Sequence, residues 1–236
     1  MTARPDDVPR IRRTTEDVYD ALRARILENE IEPGERVNID ALARDLGVSQ
    51  TPVREAVRQL EGDNLIVKVP GKGYRTTPLL DLERLRQLFE FRLLVDVWAV
   101  EVVTTNRLGN PARVIGQEID RFELSIAGKT DIRRELVLHD TRFHGYILRA
   151  LSNEVVREAY EQTHSHLHTF RLYAADIDGS ITIAEHRRIW AAVESCDGSA
   201  AAAAMHEHLT AAFYRFAAAF DEAPGTLRGP ATHRLY

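Results

Sequence analysis

The decapeptide HDTRFHGYIL, residues 139–148, carries the most suggestive chemistry in the chain, with Asp140 and His144 at i and i+4. On a helix that spacing sets a carboxylate and an imidazole on one face, a workable pair of metal ligands; a surface ion pair is the competing reading. His186 in AEHRRIW and His208 in MHEHL lie on separate helical patterns, and spacing alone cannot bring them to Asp140. The run THSHLHTF adds His164, His166 and His168. His164 and His168 share a face of a continuous helix, so one of them, His164, is expected to line a ligand cavity; the competing reading makes them polar positions on a half-exposed helix. Arg92 stands four residues before Asp96 in FEFRLLVD, the spacing of an intrahelical ion pair. Trp98, Phe170, Tyr173 and Trp190 read as core or cavity lining. A hydrolytic metal site would need an open coordination position and a general base, and no motif such as H-E-x-x-H supplies the base. The chain is therefore not expected to be an enzyme.

The elements that would hold these residues follow from composition and periodicity. The 236 residues are 44% hydrophobic and 28% charged, the composition of a soluble globular protein of one large or two ordinary domains. No apolar run is long enough to span a membrane, and MTARPDDVPRIRR has no apolar segment behind its basic residues to act as a secretory signal. Cys196 is the only cysteine, so no internal disulfide forms. A cytoplasmic protein with no membrane partner is expected. After Pro78 the pattern is helical, near 80–107, 111–127, 131–150, 153–175, 181–196 and 199–220, with Asn153 and Ser199 as candidate N-caps. The expected division is 1–78, 79–222 as a helical bundle, and a disordered tail at 223–236.

The first region has its own logic. In NIDALARDLG, Ile39, Leu42, Ala43 and Leu46 form one apolar stripe, with Asn38 placed to cap the start and Gly47 to end it. Val53, Ala56, Val57 and Leu60 repeat the spacing after a short turn, Ser49 or Thr51 can cap, and Pro52 falls in the first turn, where its missing N–H goes unneeded. Two short amphipathic helices and a tight turn make a helix-turn-helix, and LIVKVPGKGYRTT after them reads as a hairpin with a basic tip. Together these are a winged helix. Net charge is −5 for the whole chain, which counts against a strong nucleic-acid binder, yet residues 50–75 hold five basic and three acidic side chains, a local +2. Gln50, Thr51 and Arg54 are expected nearest the bases of a major groove, with Arg58 and Lys72 on phosphates.

The run PGERVNIDALARDLGVSQTPVREAVRQLEGDNLIVKVPGKGYR resembles the winged-helix domain of GntR-type bacterial transcription regulators. The resemblance implies that Arg36, Ser49, Gln50, Thr51, Arg54 and the wing's Gly71 contact DNA. Gln50 stands where many members have Arg, which trades a phosphate or guanine contact for adenine readout, and Asn64 replaces the usual Gly after the recognition helix. Residues 80–220 resemble the FCD effector domain of the FadR subfamily, an all-helical bundle, through DTRFH, EHRRIWAAVESCD and AAAAMHEHL. That implies a mainly α protein, an N-terminal winged helix-turn-helix plus an FCD-like bundle. It also implies a divalent metal held by Asp140, His144, His186 and His208, with Zn²⁺, Ni²⁺, Mn²⁺ or Fe²⁺ all compatible with an N/O ligand set. Arg92 matches the family's arginine for a small carboxylate effector, although the family has Glu where Asp96 stands. The function implied is a homodimeric repressor that binds a pseudo-palindromic operator in double-stranded DNA and responds to that carboxylate. The alternatives are a purely structural metal with no effector, or a metalloenzyme carrying a DNA-binding module.

Overall fold

The computed structural model describes residues 14–172, 179–220 and 224–227. The chain divides into two compact units, Met1–Pro78 and Leu79–Tyr236. Most of the tail expected to be disordered, and Tyr173, lie outside the described residues.

The first unit runs α1 (Thr15–Leu27), β1 (Arg36–Val37), α2 (Ile39–Leu46), α3 (Gln50–Gly62), β2 (Ile66–Val69) and β3 (Gly73–Thr76). Thr14 and Asp17 close a capping box at the start of α1, whose Val18, Leu22 and Ile26 are buried in its packing against α3. Asn38 caps α2 by accepting from Asp40 N and Ala41 N, and Gly47 ends it at φ 67°, a left-handed position that glycine adopts without penalty. Only Ala43 and Leu46 of the expected α2 stripe are fully buried; Ile39 and Leu42 are half-buried. Ser49 holds the N-cap position of α3 with extended backbone, but its side chain makes no cap hydrogen bond. All four expected apolar residues of α3, Val53, Ala56, Val57 and Leu60, are fully enclosed. Asn64 takes φ 57°, as its place after the helix predicts. The sheet has the order β1-β3-β2, antiparallel throughout, with Val69 opposite Gly73 across the hairpin turn. The two-residue strand β1 escaped the sequence, because a pair of residues carries no measurable period.

The second unit contains seven helices among the described residues: α4 (Leu82–Thr105), α5 (Ala112–Ile126), α6 (Arg133–Ala150), α7 (Glu154–Glu161), α8 (Ser165–Leu172), α9 (Ser180–Glu194) and α10 (Gly198–Ala217). The two longest, α4 and α10, pack along each other, with the rings of Phe89 and Phe213 5.7 Å apart. Gly198 permits the approach, since a Cβ there would fall 3.1 Å from the carbonyl oxygen of Glu101. The N-cap of α10 is Asp197, accepting from Ala200 N, instead of Ser199. Asn153 caps α7 by accepting from Val156 N, as expected.

The single helix expected over 153–175 is two. Thr163 Oγ1 donates to Tyr160 O at 2.7 Å and accepts from Ser165 N at 3.3 Å, so a side chain takes over hydrogen bonds that would continue the helix. His164 in that turn adopts φ 46°. The break re-aims every residue after it. Trp98 is also unlike its expected role, being 43% exposed on α4. No helix among the described residues is long and apolar enough to cross a membrane.

Candidate metal centre and nucleic-acid interface

Three helices of the second unit bring four candidate ligands into one buried polar cluster. Asp140 and His144 come from one face of α6, His186 from α9 and His208 from α10, and one ligand atom from each lies within 4.8 Å of the others. The separation of His186 Nε2 from His208 Nε2 is 3.4 Å, and Asp140 Oδ1 is 3.6 Å from both His144 Nε2 and His186 Nε2. Ligands at about 2.1 Å from one ion stand about 3.4 Å apart in a tetrahedron, so the donor spacing fits a shared divalent cation. Each imidazole directs Nε2 inward, and each Nδ1 has a polar side chain beside it. His144 Nδ1 is 3.3 Å from Asp96 Oδ2, His208 Nδ1 is 2.7 Å from Glu185 Oε2, and His186 Nδ1 is 2.9 Å from His139 Nε2. Such backing orients metal-binding imidazoles. Glu185 is held in turn by Arg215, whose two terminal nitrogens donate to its two oxygens at 2.7 and 2.8 Å.

Burial sets the protonation of the cluster. It pushes His186 well below the ordinary histidine range, and it lowers His208 although the Glu185 carboxylate opposes it. Both are therefore neutral, the form that binds metals. Burial also acts against charge on His144, but the carboxylates of Asp96 and Asp140 outweigh it and its pKa is raised. Glu185, hydrogen-bonded by His208 and Arg215 against the cost of burial, is held down at about 2.

Arg92 is 2% exposed and reaches the same cluster from α4. Its Nε is 3.4 Å from Asp96 Oδ2, so the intrahelical pair is present, and its Nη2 lies 3.0 Å from His144 Nε2 and 3.7 Å from Asp140 Oδ2. Arg92, Asp140, His208, Arg215, Phe170 and Phe216 line part of one narrow cavity, of about 20 Å³. His164, expected there, is half-buried in the turn between α7 and α8, and the histidine brought to the cluster is His166. His166 Nδ1 contacts Asp140 Oδ2, and Tyr160 Oη, 3.4 Å from His166 Nε2, donates to Asp96 Oδ2 at 2.9 Å. Burial lowers the pKa of His166 to about 4. The sequence missed His166 because a continuous helix puts it on the face opposite His164; only the break at Thr163 exchanges them. His139, Glu118 and Glu185 were missed as well, each hidden in a run of polar residues whose inward directions no period reveals.

In the first unit every expected DNA residue is exposed: Arg36 on β1, Ser49 at the head of α3, Gln50, Thr51, Arg54 and Arg58 along α3, and Gly71 and Lys72 at the hairpin tip. Gln50 Oε1 accepts from Arg54 Nη2 at 3.0 Å, which ties the two side chains nearest the helix start into one polar edge.

The model of bacterial regulatory proteins of the gntR family matches residues 14–75, and that of the FCD domain matches 87–211. The chain belongs to the GntR regulators that carry an FCD domain, and it is a DNA-binding transcription regulator; the family is one of regulators, not enzymes. An HTH-type transcriptional regulator in an unstable DNA locus of Streptomyces ambofaciens is 30% identical over 84% of this chain and 82% of its own length. A protein described as a probable D-xylose utilization operon transcriptional repressor, from Paenarthrobacter nicotinovorans, is 28% identical over 86% of this chain and 89% of its own length. Among solved structures, a GntR transcriptional regulator from Rhodococcus sp. RHA1 superposes with a TM-score of 0.67 at 19% identity, covering 87% of this chain and 98% of its own, which speaks for the fold alone.

Proposed function

We propose that the protein is a repressor of the FadR subfamily whose hold on its operator is released by a small carboxylate bound beside a divalent metal. Asp140, His144, His186 and His208 would hold the ion, and the single observation that carries the reading is their convergence, with Nε2 inward and a polar side chain beside every Nδ1. The ion, one of Zn²⁺, Ni²⁺, Mn²⁺ and Fe²⁺, would supply a Lewis-acid centre that attracts a carboxylate. Arg92 is the second anchor. Its Nη2 lies 3.0 Å from His144 Nε2, and an ion bound at that nitrogen would leave the guanidinium free to clamp a carboxylate in the adjoining cavity. Repression is supported by the description of the Paenarthrobacter relative as a repressor.

GntR regulators typically dimerise, and α4 carries Leu94, Trp98 and Val102, 54%, 43% and 40% exposed, at spacing that puts them on one face. That stripe is the reading's contact between two copies. Two recognition helices would then meet a pseudo-palindromic operator in double-stranded DNA, Gln50, Thr51 and Arg54 at base edges and Arg36, Ser49, Arg58, Gly71 and Lys72 along the backbone. A protein that works on DNA in a bacterial cell would be cytoplasmic.

The test is operator release. DNA fragments selected for binding in vitro are challenged with a panel of small carboxylates, with metal-loaded protein and with Arg92→Ala. Release by at least one acid in the wild type, weakened in Arg92→Ala, is the expected result. No change of affinity with any acid at saturation sinks the effector reading, because a ligand that does not distinguish the two states cannot shift them.

A further inference from the structure

The three imidazoles of the cluster are not backed alike. His208 Nδ1 is hydrogen-bonded to Glu185, and His144 Nδ1 lies 3.3 Å from the Asp96 carboxylate without a formed hydrogen bond. His186 turns its Nδ1 to another imidazole, His139, at 2.9 Å. The far nitrogen of that second ring, His139 Nδ1, has no hydrogen-bond partner and stands 3.5 Å from Glu118 Oε1. Both His139 and Glu118 are 1% exposed, which is unusual for either type and most of all for the carboxylate.

We propose that His139 and Glu118 are positioning residues of the metal centre, so that His186 reaches its carboxylate through one intervening imidazole. The inference rests on the metal reading above. If His186 Nε2 is a ligand, its Nδ1 carries the hydrogen and must donate. His139 Nε2 then accepts, which fixes His139 as the tautomer protonated on Nδ1, and the nearest carboxylate to that nitrogen is Glu118, 3.5 Å away with no direct hydrogen bond formed. Each assignment determines the next one outward. The ring of His139 is held in plane by stacking on Phe122, centroids 4.2 Å apart and planes within 6°. Glu118 Oε2 is anchored by Arg121 Nη1 at 3.0 Å, and Oε1 lies between His139 Nδ1 at 3.5 Å and Arg142 Nη1 at 3.8 Å. The 3.5 Å gap borders a cavity between α5 and α6 lined by Glu118, Arg121, Glu135, His139 and Arg142, so a water has room to complete the link.

The experiment uses the full chain, stripped with a chelator and titrated with Zn²⁺ in competition with a chromophoric chelator. His139→Phe keeps an aromatic ring over Phe122 but removes both nitrogens, and its Zn²⁺ affinity is expected to fall roughly 10- to 100-fold. His139→Gln sacrifices the stack but restores an acceptor near the Nε2 position, and is expected to recover most of that loss. Glu118→Gln is expected to weaken binding in the same direction by less. A role in packing alone reverses the order, with His139→Phe like the wild type and His139→Gln weaker, and that result overturns the proposal. Should His139→Phe fail to fold in a thermal melt of the metal-free protein, Glu118→Gln decides, and unchanged affinity in it counts against the relay. Wild-type protein that takes up no Zn²⁺ is a different failure: it defeats the metal reading itself, and the relay falls with it.

Discussion

The two units solve opposite problems with the same residue types. In the winged helix the side chains proposed to meet DNA, Gln50, Thr51, Arg54, Arg58 and Lys72, are all exposed, and the core beneath them is apolar: Val53, Ala56, Val57 and Leu60 are at 0% exposure. In the bundle the side chains proposed to hold metal and effector are the core. Arg92, Asp140, His144, His186 and His208 are between 0% and 4% exposed. A surface that must meet a polyanion gains from solvated, mobile cations, whereas a metal centre must hold its donors rigid and away from water. Function and stability are therefore separable in the first unit and entangled in the second.

The sharpest way to break that contrast is to remove ligands. Asp140→Ala combined with His186→Ala is expected to take metal content from about one ion per chain to none in elemental analysis, while the winged helix keeps its DNA affinity measured by anisotropy. Retention of the metal would show that the buried donors are merely a satisfied polar core.

Core truncation should hurt both units alike. Phe213→Ala in the bundle is expected to cost about 3–5 kcal/mol, and Leu60→Ala in the winged helix about 2–5 kcal/mol, in chemical denaturation. Only the bundle variant should also loosen metal binding.

Acid should find the bundle. His168, lowered to about 4 by burial first and by Arg171 and other nearby cations second, is neutral when folded. Below its unfolded pKa of about 6.5 the unfolded chain binds a proton that the folded chain refuses. Stability is thus full above pH 6.5 and declines as pH falls towards 4, by at most about 3 kcal/mol from this residue. His168→Gln should flatten the loss in melts taken across that window.

The exposed edge should behave in the opposite way, with function lost and stability intact. Arg54→Ala is expected to cost about 1–3 kcal/mol of operator binding and to relax discrimination at one base position. Arg58→Ala should weaken all sequences alike and reduce the salt slope by about one. Neither should move the melting temperature by more than surface substitutions ordinarily do. The smallest effect expected is local: Asn38→Ala removes the α2 cap and costs about 1 kcal/mol.

What the sequence determined by itself is what short-range rules govern. The winged helix was legible because its signals are local: Asn38 two residues from the amide it caps, Gly47 at the one left-handed position ending α2, and four apolar residues at helical spacing on α3. The pairing of Asp140 with His144 was legible for the same reason, since one turn of helix places them. Bringing His186 and His208 to that pair was beyond any period, because α9 and α10 meet α6 only when the bundle packs. The exchange of His164 for His166 turned on a single threonine hydroxyl that diverts the backbone at Thr163. Whether the buried Glu118 and His139 are core or chemistry is decided by a neighbour 47 residues along the chain from His139, and only packing sets that distance. Local hydrogen bonds and periodicity act over a few residues and can be read directly, whereas a convergent site depends on the directions of several helices at once.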